Sequence, residues 1–209
     1  MQLPWNSKVK YLILAASLFV CSPLWASETY PEHLWYIGGG LGAADSGLYK
    51  LPESIDTYTA YDKSGQAGKL FFGKHISENV DVEVFYANLG RSFSQGTSGW
   101  YGNSKSNSYG IAAKYFLLSG VFRPYAKVGI HRLTSKESAH SDMGTDTNIK
   151  SKSTNILYGV GLDYSLNKSD RVALEYETYG KVGTTDIDST TETGQLKPKA
   201  LFLSFTHSY

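Results

Sequence analysis

Apolar and polar residues alternate along eight separate segments of the chain after residue 30. The side chains of a β-strand point to opposite faces in turn, so this alternation predicts eight strands with one apolar face each. The clearest segment begins at Val80 and reads VDVEVFYA. The predicted strands cover residues 34–44, 66–75, 80–90, 106–118, 122–133, 153–166, 171–181 and 199–209.

The connections between these strands alternate in length. Three are turns of three or four residues, and four are segments of about 15 to 20 residues, at 45–65, 91–105, 134–152 and 182–198. Short turns at one end and long loops at the other are typical of bacterial outer-membrane barrels. We therefore predict an all-β fold, an eight-stranded antiparallel transmembrane up-and-down β-barrel with short periplasmic turns and four long extracellular loops. The alternative is a soluble β-sandwich or lipocalin, and the outward rows of Val, Leu, Ile and Tyr argue against it.

The N-terminus predicts export from the cytoplasm. Lys8 and Lys10 precede an apolar stretch at 11–20, which is shorter than the roughly 20 residues of a membrane-spanning helix. We predict cleavage after Ala26. The predicted domains are a signal peptide at 1–26 and an outer-membrane barrel domain at 27–209.

Composition narrows the function classes. Cleavage removes the one cysteine, Cys21, and two of the 20 basic residues, which leaves 18 basic against 19 acidic residues. The mature chain then has no disulfide or thiol nucleophile, and its charge gives no reason to expect nucleic acid as a partner. A mean hydropathy of −0.28 with 21 Gly and 16 Tyr excludes a helical membrane protein but suits a barrel. A lipoprotein signal at Cys21 is a less favoured alternative, because the branched Val20 precedes it.

Charged residues of both signs fall on the predicted inward faces. They are Lys69, Asp81, Glu83, Lys114, Lys127, Asp163, Arg171, Glu175 and Glu177. Eight strands enclose a space that side chains just fill, and an unpaired charge there costs several kcal/mol. We therefore predict a network of salt bridges across the barrel interior. The carboxylate pairs on single strands could also serve acid/base catalysis, but a filled interior leaves no cleft for a substrate.

No residue set indicates an enzyme, a metal site or a cofactor site. The five histidines are scattered over loops and both strand faces, without the ligand spacing of a zinc site. His207 and Ser208 could suggest a lipid hydrolase, but adjacent strand residues point to opposite faces and no acidic partner is evident. We therefore expect no catalytic, cofactor-binding or metal-binding residues.

Aromatic residues on the predicted outward faces suit the membrane interface. They are Trp35, Tyr86, Tyr109, Tyr158, Tyr176 and Tyr209. Amphipathic rings anchor a barrel at the level of the lipid headgroups. Trp100 and Tyr101 differ because they lie in a predicted loop, where they could contact that loop, lipopolysaccharide or a host surface.

The strand segments resemble the transmembrane domain of the outer-membrane protein A family and related small surface barrels. The likeness covers nearly all of the mature chain and rests on WYIG from Trp35, DVEV from Asp81, AKY from Ala113, GLDY from Gly161 and LEY from Leu174. It implies an interior Glu with basic partners. By residue matching these fall on Glu83 and Lys114, with further charges at Lys127, Asp163 and Glu175.

The chain departs from the family pattern at Ala173, where the family has an Arg two residues before the matching Glu. A gate-like exchange of salt bridges would then need Arg171 or Lys69 as a substitute. The sequence also ends at Tyr209 without the peptidoglycan-binding domain of full-length members, so we expect no attachment to the cell wall by that route.

The resemblance implies an integral protein of a Gram-negative outer membrane. We expect a structural and surface-interaction role, in adhesion or envelope integrity, through the extracellular loops. The alternatives are a narrow, porin-like pore or conduit for small or hydrophobic solutes and, less favoured, an outer-membrane lipid-modifying enzyme. The expected partners are outer-membrane lipid and lipopolysaccharide, a host or cell-surface ligand, and the barrel-assembly machinery, for which Leu203, Phe205 and Tyr209 resemble the recognition signal.

Overall fold

The computed structural model describes residues 34–45, 48–50, 58–62, 64–96, 101–140, 146–182 and 195–209. The predicted signal peptide lies outside these residues, as do parts of the predicted loops. The strands are β1 (Trp35–Asp45), β2 (Leu48–Lys50), β3 (Tyr58–Asp62), β4 (Ser64–Ser77), β5 (Val80–Gly96), β6 (Tyr101–Phe116), β7 (Phe122–His140), β8 (Asp146–Ser165), β9 (Asp170–Thr178), β10 (Gln195–Leu196) and β11 (Lys199–Ser208).

Eight of these strands close into one antiparallel barrel. Strands β4 to β9 pair in chain order, β11 pairs with β9, and β1 pairs with both β4 and β11, which completes the circle. A closed sheet has no free edge, which is the condition for β-strands to cross a lipid bilayer. The predicted eight-stranded all-β barrel is confirmed. No helix among the described residues is long and apolar enough to cross a membrane.

The three short strands lie at the end of the barrel that carries the long connections. β3 pairs with the last residues of β5, from Asp62 opposite Phe93 to Tyr58 opposite Gly96. β2 pairs with β10, and β10 also forms a bridge to Val182. The first predicted loop is thereby joined to the second and the fourth.

Strands β5 to β8 are longer than predicted at their extracellular ends. β5 and β6 reach Gly96 and Tyr101, and β7 and β8 reach His140 and Asp146, so the predicted second and third loops are mostly strand. The prediction was wrong there because both strand faces are polar beyond the membrane, which removes the alternation. β7 has 19 residues and β8 has 20, whereas about 9 to 11 are enough to cross the bilayer. A wall of sheet therefore projects on this side of the barrel.

The other strand ends differ little from the prediction, except that β9 ends at Thr178 rather than at 181. Gly180 follows with a φ of 71°, a left-handed conformation that glycine adopts without strain and that ends the extended segment. Every remaining end agrees with the predicted one within two residues.

Residue parity along each strand separates a lipid-facing surface from the barrel interior. On β7, Val128 and Ile130 are 51% and 62% exposed, whereas Lys127 and His131 are 3% and 2% exposed. The interior is layered along the barrel axis. Apolar side chains fill its extracellular end, among them Leu89, Leu133, Leu157, Val182 and Leu196, and charged side chains fill the part within the membrane.

Candidate functional site

Six charged side chains meet inside the membrane-spanning part of the barrel and form what we call the central ion cluster. Inward positions of five strands supply them: Lys69 on β4, Glu83 on β5, Lys114 on β6, Lys127 on β7, and Glu175 and Glu177 on β9. Each residue is at most 8% exposed. Three cations balance three anions, which is the condition for keeping charges out of water at a tolerable cost.

Glu83 lies between the cations of three strands. Lys114 Nζ is 2.6 Å from Glu83 Oε2, and Lys127 Nζ is 2.5 Å from Glu83 Oε1. Lys69 Nζ lies further off, at 3.9 Å from Oε1. Oε1 accepts no well-aligned hydrogen bond, so its contact with Lys127 is an ion pair without hydrogen-bond geometry. Removal of Glu83 would leave Lys114 without its carboxylate partner.

The two glutamates of β9, Glu175 and Glu177, both contact Lys69 and Lys127. Lys127 Nζ lies 3.3 Å from Glu175 Oε2 and 2.5 Å from Glu177 Oε1. Lys69 Nζ contacts Glu175 directly and lies 3.0 Å from Glu177 Oε1. Lys69 and Lys127 therefore each contact all three carboxylates, and the cluster ties β4, β5, β6 and β7 to β9 across the interior.

Three buried tyrosines complete the hydrogen bonding of the carboxylates. Tyr125 donates to Glu175 Oε2 at 2.8 Å, Tyr36 donates to Glu83 Oε2 at 3.4 Å, and Tyr179 donates to Glu177. Neighbouring inward glycines make room for two of the rings. A Cβ added at Gly73 would lie 2.2 Å from Tyr36 Cζ, and one at Gly161 would lie 2.4 Å from Tyr125 Cζ. These glycines are therefore part of the cluster's architecture.

Aromatic faces line the space beside the lysines. The Lys114 ammonium lies 5.0 Å from the ring centre of Phe71, and the Lys127 ammonium lies 5.4 Å from that of Phe85. Lys69 is 5.4 Å from the ring centre of Phe202. Such contacts stabilise a partly desolvated cation, and the rings occupy volume between the ion pairs.

A second group of buried polar residues lies nearer the periplasmic turns, and we call it the periplasmic layer. Arg123 Nη2 donates to Asp163 Oδ2 at 2.7 Å, and His75 Nδ1 lies 2.6 Å from Asp81 Oδ1. Arg171 is 6% exposed and forms no ion pair within 4.0 Å with any side chain that the structure describes. This layer has a composition different from that of the central ion cluster and makes no direct salt bridge to it among the described residues.

The structure thus divides the nine predicted interior residues into two groups. Six form the central ion cluster, whereas Asp81, Asp163 and Arg171 lie in the periplasmic layer. Of the two residues that could substitute for the family's Arg at Ala173, Lys69 contacts the same carboxylates as Lys127, and Arg171 contacts none of them among the described residues. Sequence reasoning missed Arg123, although it shares the inward parity of Lys127 on β7.

A serine, a histidine and an aspartate line up in the periplasmic layer. Ser208 Oγ lies 3.4 Å from His75 Nε2, and His75 in turn contacts Asp81. The three residues are 1%, 2% and 4% exposed, so in this conformation no substrate reaches the serine. His207 points outward, as its parity predicts, but it has the acidic partner that sequence reasoning missed, since its Nδ1 is 2.7 Å from Asp170 Oδ1.

The six predicted interface aromatics all lie on the outer surface. They are between 41% and 57% exposed: Trp35, Tyr86, Tyr109, Tyr158, Tyr176 and Tyr209. Tyr86 and Tyr109 are register partners on β5 and β6. Trp35 stacks on Phe72 at a ring distance of 5.3 Å near the periplasmic end. Trp100 and the Tyr101 side chain lie outside the described residues.

Comparison with solved structures places this geometry among small outer-membrane barrels. The outer membrane protein OprG of Pseudomonas aeruginosa matches with a TM-score of 0.57 and 16% identity, covering 88% of this chain and 99% of that one. The attachment invasion locus protein Ail of Yersinia pestis, solved in complex with the heparin analogue sucrose octasulfate, matches with a TM-score of 0.50 and 17% identity, covering 84% and 99%. Neisserial surface protein A matches with a TM-score of 0.50 and 17% identity, covering 84% and 97%.

A closed barrel with an apolar outer band and a charged interior defines the class, a bacterial outer-membrane β-barrel protein. A family profile makes the assignment specific, since that of the outer membrane protein beta-barrel domain matches residues 12–205. The chain belongs to this family, and its place is the bacterial outer membrane. No curated protein matches the sequence significantly.

Proposed function

We propose that this protein is a non-enzymatic, non-conducting barrel that serves envelope integrity and contact with surfaces through its extracellular part. The central ion cluster carries this proposal. Its lysines and glutamates join opposite sides of the barrel, and buried tyrosines and phenylalanines fill the space around them. A filled, neutral interior supports an anchoring role better than a transport role.

The projecting wall of β5 to β8 supports the surface-contact part of the proposal. These strands continue well beyond the length needed to cross the membrane, so their extracellular ends lie away from the bilayer. A rigid support of this kind suits recognition by loops, because it reduces the conformational entropy lost on binding. The proposal implies lipopolysaccharide, the barrel-assembly machinery and a host or cell-surface ligand as partners.

Planar-bilayer recording of the refolded, full-length mature protein tests the sealed interior. We expect no single-channel steps from the wild type. The double variant Lys127→Ala/Glu177→Ala removes one cation and one anion from the cluster, and single-channel steps from this variant alone would show that the cluster contributes to the seal. The matched variant Arg123→Ala/Asp163→Ala removes a pair from the periplasmic layer and should leave the interior closed, because the central ion cluster remains. Steps from the wild type would contradict the proposal.

A conduit for hydrophobic solutes is the second candidate, because a depression of about 1160 Å³ lies at β1, β4 and β11 and is lined by residues of both sheet faces. Outward Gly39 and Gly68 form its floor, and Leu41, Leu70 and Leu203 border it. β1 and β4 remain paired beneath it along their whole length. If vesicles containing the protein took up an apolar fluorophore faster than empty vesicles, and Gly68→Leu abolished the difference, this second function would be favoured.

A further inference from the structure

Four basic residues stand side by side on the outer surface of the projecting wall. Arg91 on β5 is the register partner of Lys105 on β6, Lys105 of Lys136 on β7, and Lys136 of Lys150 on β8. Neighbouring strands are about 4.8 Å apart, so the four positions span about 14 Å. We call these four residues the cationic row.

On β7 and β8 the cationic row lies beyond the lipid-facing apolar band, toward the extracellular end. The last outward apolar residue is Ile130 on β7 and Ile156 on β8, and Lys136 and Lys150 each lie six residues further toward the extracellular end. With a rise of about 3.3 Å per residue and strand tilts near 40°, this separation corresponds to a height of about 15 Å. A lysine side chain is long enough to extend several ångströms toward the membrane, which brings the ammonium groups of the row within reach of the phosphorylated headgroup layer.

Two further cations connect the row to the membrane. Arg132 lies two residues beyond Ile130 and donates to Thr154 Oγ1 at 3.1 Å, and Lys152 lies two residues below Lys150. Both point outward and are exposed. The positive surface therefore continues down to the edge of the apolar band.

Like charges in direct register repel one another, so the row is unfavourable by itself. No residue of the row forms an ion pair with any side chain that the structure describes. The opposite flank differs, because its extracellular rim has Lys199 on β11 in register with Asp45 on β1. An anionic ligand beside the cationic row would relieve this repulsion.

We propose that the cationic row binds the phosphate groups of an outer-leaflet glycolipid of the lipopolysaccharide type. The row faces sideways, above the apolar band, so the groups beside it are the headgroups of the neighbouring lipids. Arginine and lysine together suit phosphate, arginine by paired hydrogen bonds and lysine as a point charge. Lipopolysaccharide is one of the partners in the proposed function, and the cationic row would be its binding site. Binding there does not depend on what the loops bind or on whether the interior conducts.

Native mass spectrometry of the detergent-solubilised mature protein tests this proposal. The probes are bis-phosphorylated lipid A and the same lipid A after enzymatic removal of both phosphates. The test variant Lys105→Gln/Lys136→Gln neutralises the centre of the row. The control Lys74→Gln/Lys168→Gln removes the same charge at the periplasmic end, and Lys105→Arg/Lys136→Arg keeps the charge of the row. A difference in gel migration between unboiled and boiled samples shows that each variant is folded. If the double variant Lys105→Gln/Lys136→Gln does not fold, the single variant Lys136→Gln takes its place.

Two exposed cation–phosphate contacts together predict roughly tenfold weaker retention of bis-phosphorylated lipid A by the test variant. The control and the arginine variant should bind as the wild type does, and added salt should weaken binding in all three. The proposal would be overturned if the wild type retained dephosphorylated lipid A as well as it retains the bis-phosphorylated form. It would also be overturned if the test variant bound bis-phosphorylated lipid A with wild-type affinity. Binding of soluble sucrose octasulfate by the row as tightly as lipid A would also overturn it, in favour of a soluble polyanion. A conducting wild type would refute the proposed function alone.

Discussion

Glu83 shows how much a single residue contributes to the barrel interior, because it bridges Lys114 and Lys127 from neighbouring strands. Glu83→Ala leaves Lys114 buried without its partner, and we expect a loss of about 3 to 5 kcal/mol in the free energy of unfolding. Glu83→Ala/Lys114→Ala should cost less than the sum of the two single changes, with a coupling energy of about 1 to 3 kcal/mol. Urea unfolding in lipid vesicles, followed by tryptophan fluorescence, measures both quantities.

The matched cycle pairs Glu83→Ala with Lys74→Ala. Lys74 lies over the Trp35 ring on the outer surface, at 5.0 Å from its centre, and does not contact Glu83. Its effect should therefore add to that of Glu83→Ala within about 0.5 kcal/mol. Strict additivity in the Glu83/Lys114 cycle as well would show that these side chains do not interact in the folded protein.

Gly161 tests the fit between the tyrosines and the carboxylates. A methyl group there would overlap the Tyr125 ring and displace its hydroxyl from Glu175, so Gly161→Ala should destabilise the barrel by about 1 to 3 kcal/mol. Gly68→Ala is the control, because the nearest atom to its added Cβ is 4.0 Å away. Alanine normally stabilises an unstrained position by reducing the entropy of the unfolded chain. Equal midpoints of urea unfolding for the two variants would contradict this packing argument.

Among elements, β11 closes the barrel, and Tyr209, the residue that follows it, is the natural test of assembly. Tyr209 N donates to Trp35 O at 2.9 Å, so it extends the seam with β1 by one hydrogen bond. We propose that its terminal aromatic ring, with Leu203 and Phe205, is read by the assembly machinery. Deletion of Tyr209 should lower the amount of heat-modifiable protein in the outer-membrane fraction severalfold. Tyr209→Phe keeps the ring and should assemble normally, and a deletion that also assembled normally would remove this role.

The strands were predictable where one face meets lipid and the other meets the interior, since that contrast produces the alternation. On β7, the residues from 122 to 133 show it. Beyond Leu133 the outward residues become Thr134 and Lys136, both faces are polar, and the strand continues without a periodic signal. The inward parity of Lys127 and Glu83 was readable in the same way. The resemblance implied the pair of Glu83 with Lys114. The contacts of Lys127 with Glu175 and Glu177 were not readable from parity, because the register and tilt of the strands decide which inward charges meet.

At the scale of the whole molecule, processing determines the mature N-terminus. We expect N-terminal sequencing of outer-membrane material to begin at Ser27, because Lys8, Lys10 and the apolar segment after them predict a cleavable signal. Cys21→Ser should leave both the start and the yield unchanged. Mass spectrometric detection of an acylated Cys21 would instead show a lipoprotein.

The projecting wall of β5 to β8 predicts the orientation of the barrel, with the wall on the outside of the cell. The sequence after the predicted cleavage site contains no cysteine, so a single thiol introduced there reports its own location. Ser138 lies near the extracellular end of β7, and Lys168 lies in the turn between β8 and β9. A membrane-impermeant maleimide should label Ser138→Cys on intact cells, and should label Lys168→Cys only after the outer membrane is permeabilised. Ser138 is half-buried on the outer face of β7 and Lys168 is exposed, so both sites are open to labelling, and a reversed pattern would indicate a barrel inserted with its wall toward the periplasm. That orientation would also place the cationic row against the inner leaflet, away from the phosphorylated glycolipid.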